Sequence, residues 1–151
     1  MKIHSQEGFT LIELLIVIAL IAVLAGAVII ALNPARQFQL ARNSERWSNV
    51  SAIVGSITSN TTENKGVWTC SVALPTTSTA ISSSGADLCH CLVPSQMATL
   101  PADPLATAPP AADCSGTYDT GFMVIRDAAT NRVTVSAPSV EAGAGAIAVT
   151  Q

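Results

Sequence analysis

The stretch Glu7–Leu20, EGFTLIELLIVIAL, decides the fold. It opens an apolar run, Phe9–Leu32, whose one formal charge is Glu13. A helix over those 24 residues extends about 36 Å, enough for a hydrocarbon core of about 30 Å. A soluble protein could hide such a helix only inside a large apolar shell. The rest of this 151-residue chain is too short and too rich in Ala, Ser, Thr and Pro to supply one. The run therefore reads as a membrane helix. A carboxylate at the bilayer centre costs about 2.5–3.5 kcal/mol on insertion scales. Glu13 sits only four residues beyond Phe9, about 6 Å deeper along a helix, so its cost falls below that figure.

Working outward, mean hydropathy is +0.46, with 11% charged and 4% aromatic residues, a balance few soluble enzymes share. The net charge of −3 gives electrostatic nucleic-acid binding no support in the bulk charge. Cys70, Cys89, Cys91 and Cys114 all follow the apolar run, as two disulfides in an oxidising compartment require.

The start of the chain has the wrong order for a secretory signal, which places a small-residue cleavage site after its apolar core. Here MKIHSQEG comes first, ending in the small residue Gly8, and the apolar run follows. Cleavage after Gly8 leaves the helix on the mature chain and creates a new N-terminus at Phe9.

GFTLIELLIVIALIAVLA resembles the processing site and N-terminal helix of type IV pilins and type II secretion pseudopilins. That family has a short leader ending in Gly, then Phe, then a carboxylate at the fifth mature position; Gly8, Phe9 and Glu13 match each. The close match covers Glu7 to Leu32 and continues more loosely through NPARQFQLARNSERWSNVSAI. The resemblance implies cleavage by a prepilin peptidase, N-methylation of Phe9, and assembly by pilus or secretion machinery of the inner membrane. Before assembly the chain is then a single-pass protein of the cytoplasmic membrane, in contact with lipid. Afterwards it is part of a homo-oligomeric helical filament at the cell surface. Glu13 and the Phe9 amine are the expected assembly pair. Within one helix the amine points back along the axis while the Glu13 side chain leaves sideways, so the expected partner is the amine of an axially shifted neighbour. In a dry filament core an unpaired charge is strongly unfavourable, so such a pair fixes docking height.

The basic residues beyond the run, Arg36, Arg42 and Arg46, stand against Lys2 and Glu7 before it. The positive-inside bias alone places that basic flank in the cytoplasm. The cysteines and the cytoplasmic site of the family's peptidase require the opposite orientation, which is the one adopted here.

Beyond the run, Leu40, Trp47, Val50, Val54 and Ile57 recur at helical spacing and predict an amphipathic helix with these residues on its packed stripe. Arg42, Glu45, Arg46 and Asn49 fall on its other faces. Pro34 lacks an N–H and disfavours helix at Asn33, so a kink is expected there. Many relatives carry a proline earlier, where this chain has Ile30, and Gly26 is the one weak point inside the run. The expected organisation is a leader at 1–8, a transmembrane and filament-core helix at 9–32, its amphipathic continuation at 33–60, and a β-rich head at 61–151.

In the head, VWTCSVAL and LCHCLV read as strands, while PTTSTAISSSGAD reads as loop, open to glycosylation. The proline-rich PSQMATLPADPLATAPPAADCSGTYDT also reads as loop. GFMVIRD and RVTVSAP flank the turn AATN as a hairpin, and AIAVTQ adds a last strand. The fold class is thus α+β, a long N-terminal helix packed on a small antiparallel sheet. A Cys89–Cys91 bridge closes too small a loop, which leaves Cys70 and Cys114 each joined to one of Cys89 and Cys91, in either combination.

Few residues suggest other chemistry. CHC with Cys70 and Cys114 could offer zinc three thiolates and His90, but its one-residue spacing is short for that metal and disulfides win in an oxidising compartment. Asp103, Asp113 and Asp119 match no calcium loop. His90 is the sole histidine after Gly8 and lacks a nucleophile pattern. The expectation is no enzyme, metal or cofactor, but a structural subunit of a type IV pilus-like filament. The alternatives are a major pseudopilin of a type II secretion system, and a membrane-anchored extracytoplasmic binding domain that keeps its first eight residues.

Overall fold

A computed structural model describes residues 8–107, 111–141 and 143–151. They form two compact units, the first ending at Phe38 and the second spanning Gln39–Gln151.

The first unit is dominated by α1, Leu11–Leu32. Leu, Ile and Ala favour the helix, and Thr10, extended at φ −80° and ψ 152°, caps it. It passes through Gly26 without a break. It stops where Asn33 takes the left-handed conformation at φ 41°, a setting in which asparagine is tolerated better than most residues. Pro34 then opens α2, Pro34–Glu63. Proline suits a first helical position, where its missing N–H has no intrahelical partner to lose. The Asn33 carbonyl accepts from Arg36 N at 3.0 Å. None of the α1 side chains is buried.

From Gln39 onward α2 lies in the second unit, whose core it shares with a four-stranded antiparallel sheet, so the arrangement is α+β. The sheet is a meander: β1 (Thr79–Ser82), β2 (Asp119–Arg126), β3 (Val133–Ala137) and β4 (Ile147–Thr150) lie in chain order. Alternation sends Thr120, Phe122 and Val124 of β2 and Val133, Val135 and Ala137 of β3 inward. Val124 stands opposite Val135. Val50, Ile53, Val54 and Ile57 of α2 are buried in the same cluster.

The expected hairpin and the last strand are present as β2–β3 and β4. Three other expectations change. Val67–Leu74 is not a strand, because side chains take its polar groups: the Trp68 indole donates to Val72 O at 2.8 Å and Asn60 Oδ1 accepts from Thr69 N at 3.1 Å. The edge of β2 is filled instead by β1, inside the stretch read as loop, with Thr79 opposite Val124. Ile81 is fully buried there. Gly85 closes the turn after it, where any Cβ would stand 2.4 Å from the Ala80 carbonyl oxygen. Finally, Cys89–Leu92 is a single helical turn, α3, rather than a strand. Residues two apart in a strand share a face, whereas on a helix they diverge by about 200°. The divergence lets Cys91 bond to Cys70 and Cys89 to Cys114.

Candidate assembly site

At the start of the described chain Gly8 and Phe9 precede any helix, and Phe9 is 81% exposed. Four residues on, Glu13 and Thr10 form a reciprocal capping box. Glu13 N donates to Thr10 Oγ1 at 3.2 Å, and Thr10 N donates to Glu13 Oε2 at 3.5 Å. The carboxylate is thus curled back over the first turn, not directed sideways as the sequence reading has it. Two unpaired backbone donors of the helix start gain acceptors, and the negative charge sits at the favourable end of the helix dipole. Leu11, Ile12, Leu14 and Leu15 around it are all more than half exposed.

Val50, Val54 and Ile57 of the apolar stripe expected on α2 are buried, but its first two members are not. Leu40 and Trp47 are 43% and 44% exposed, while Asn43 and Arg46 face the core. Arg46 is fully buried. It donates from Nε and Nη2 to the two Asp103 oxygens at 2.6 and 3.0 Å, and from Nη1 to Asn43 Oδ1 and Glu141 Oε2, both at 2.9 Å. Arg42 forks onto Glu141 at 2.6 and 2.5 Å. Asn43 closes the set by exchanging hydrogen bonds with the Glu141 backbone, both at 3.2 Å. One face of α2 therefore clamps two loops, those carrying Asp103 and Glu141. Charge-assisted, bidentate geometry of this kind is the strong form of the ion pair.

The hydrogen bond from Arg42, then that from Arg46, holds the Glu141 carboxyl down at about 2. The folded value lies below the unfolded one, so the stabilisation is complete above about pH 5 and fades as pH falls toward 2. Melting temperatures of wild type and Glu141→Gln should differ at pH 7 and converge as pH approaches 2. A gap of constant size across that range would refute the assignment.

The cysteine pairs are Cys70–Cys91 and Cys89–Cys114, which selects one of the two combinations the sequence left open. Tyr118 holds α3 as well, accepting from Cys89 N at 3.2 Å and donating to Asp87 at 2.7 Å. Burial, with the hydrogen bond to Asp87, pushes the Tyr118 hydroxyl well above its usual range. His90 is exposed between two oxidised cysteines, so no thiolate is available for zinc. Asp103 is occupied by Arg46, while Asp113 and Asp119 accept from the nearby backbone N–H groups of Ser115 and Gly121. The described residues contain no cluster of three or more metal-ligating side chains.

Residues 3–29 match a family model described as the prokaryotic N-terminal methylation motif. This is the prepilin motif of type IV pilins and pseudopilins, and the chain carries it. No curated protein and no solved structure matches the chain. The motif marks structural pilin-like or pseudopilin subunits rather than enzymes, and implies processing by prepilin peptidase. With α1, it points to a membrane-anchored precursor.

Proposed function

We propose that the chain is a structural subunit of a type IV pilus-like surface filament, assembled through α1 once prepilin peptidase has removed residues 1–8. The observation that carries this reading is a prepilin motif joined to a helix with no buried side chain. Such a surface is stable only against lipid or against copies of itself. In this reading 9–32 occupies the bilayer first and the filament core later, 33–60 continues the shaft, and 61–151 forms the exposed head. The outward face of α2, with Leu40, Ser44, Trp47, Ser51 and Gly55 exposed and uncharged, extends the surface offered to neighbouring copies.

Cleavage converts the Phe9 nitrogen from an amide into an ammonium, one residue before the N–H that Glu13 caps. The carboxylate is already turned toward that end of the helix. Pairing with the Phe9 ammonium of a neighbour satisfies both charges and sets the axial register.

Mass spectrometry of the protein from its native host should find residues 1–8 missing and Phe9 methylated. A native chain that still begins at Met1 would overturn the proposal. Glu13→Ala subunits expressed beside wild type should be excluded from filaments, and incorporation in proportion to expression would remove the register role. Immunolabelled filaments beyond the cell envelope separate this reading from a pseudopilus, which shares the motif and the helix.

A further inference from the structure

A groove of about 410 Å³ opens in the head where the end of α2 meets the β2–β3 hairpin. Its lining includes Val67, Trp68 and Leu74 together with Arg126, Asn131 and Val133. That volume lies within the range of small-molecule sites, about 300–1,000 Å³, and the mixture of apolar walls with a few polar groups is typical of them.

The arginine is set up in an unusual way. Arg126 Nη1 donates to Asn131 Oδ1 at 2.8 Å, which holds the guanidinium across the hairpin turn. Its Nε is shielded from solvent and finds no acceptor among the described residues. No carboxylate lies within ion-pair distance of it there. A shielded donor without a protein acceptor is uncommon in folded proteins, and a bound acceptor is one way to satisfy it.

Charge distribution points the same way. From Gln39 onward the basic residues are Arg42, Arg46, Lys65, Arg126 and Arg132. Arg42 and Arg46 are consumed by Glu141 and Asp103. Each of the other three lines this groove or adjoins a lining residue: Lys65 precedes Gly66, and Arg132 sits between Asn131 and Val133. Of these three, Arg126 is the one whose side chain lines the groove.

We propose that this groove binds a small ring-bearing carboxylate. Binding requires the Arg126 side chain to turn so that Nε, shielded in the free protein, faces the groove; a carboxylate then takes Nε and Nη2 together in the planar two-point geometry that suits arginine. The ring of the ligand lies against Trp68 and Val67. Phosphate, lacking a ring, gains only the charge.

The test uses the full chain in non-ionic detergent micelles, observed by two-dimensional nitrogen–proton NMR. Benzoate and D-glucuronate are titrated separately, with sodium chloride and inorganic phosphate as controls. The expected result is saturable movement of the Trp68 indole N–H and Arg126 Nε–H signals with at least one carboxylate, and none with chloride. Arg126→Gln should abolish the response, and Arg126→Lys, which keeps the charge but loses the fork, should weaken binding at least fivefold. Unchanged amide spectra establish that each variant folds, and either variant alone suffices for the comparison. Absence of saturation with both carboxylates overturns the proposal, as does full-strength binding in the variants. A response to phosphate equal to that of the carboxylates overturns the ligand class.

Discussion

Arg46→Ala should lower head stability by about 3–5 kcal/mol, because it strands the buried Asp103 carboxylate without its counter-ion. For a unit of this size that corresponds to a fall of roughly 10–20 °C in melting temperature. Arg46 is fully buried, so water cannot replace the lost donors without opening the interface between α2 and its loops. Replacing both partners, as in Arg46→Met with Asp103→Leu, should recover most of the loss. Apolar groups of similar volume carry no desolvation cost, and buried ion pairs are often matched by them. Thermal melts of the single and double variants decide the matter. If the single variant melted within 2 °C or so of wild type, the clamp would be ornamental rather than structural.

Removing a disulfide should cost nearly as much. Cys70–Cys91 and Cys89–Cys114 join residues 21 and 25 positions apart, and loops of that length stabilise by roughly 3 kcal/mol each through the entropy of the unfolded chain. The two bridges start from opposite sides of one helical turn, and that turn holds the fully buried Cys89 and Leu92. Cys89→Ala with Cys114→Ala should therefore lose about 2–5 kcal/mol, and its reduced wild-type counterpart should become sensitive to protease in the stretch Val67–Leu92. Limited proteolysis with and without reductant reads this directly. Equal digestion rates would show that the core around Phe122 and Ile57 holds the turn unaided.

Some parts of this molecule are legible in its sequence, for identifiable reasons. The prepilin motif lies in one contiguous stretch, so no knowledge of folding was needed to see it. The β2–β3 hairpin announces itself by period-two alternation around a turn whose Asp127 side chain accepts from Ala129 N and Thr130 N, both at 2.8 Å. By contrast β1 hides in a serine- and threonine-rich tract, where Ile81 was the one apolar signal. The turn at Cys89–Leu92 was misread as a strand because short apolar runs carry no usable period. Its two thiols, needing opposite directions, held the clue. A stripe drawn through apolar residues alone leaves Arg46 on another face of α2, since arginine is almost never buried unless paired. Its partners, Asp103 and Glu141, lie 57 and 95 residues away, beyond the reach of any local pattern. The Arg126 groove is a product of tertiary folding in the same sense. It draws on the end of α2, two loops and a hairpin that no sequence window contains.

The clamp also bears on how firmly lipid can hold such a subunit. A free lysine or arginine beside an anionic headgroup layer is attracted to it. Arg42 and Arg46 spend their charge inside the folded head, which leaves Arg36 as the one cation of that trio still available to lipid phosphates. Folding of the head thus takes two of the first three cations that follow α1 out of reach of any anionic surface, headgroups included.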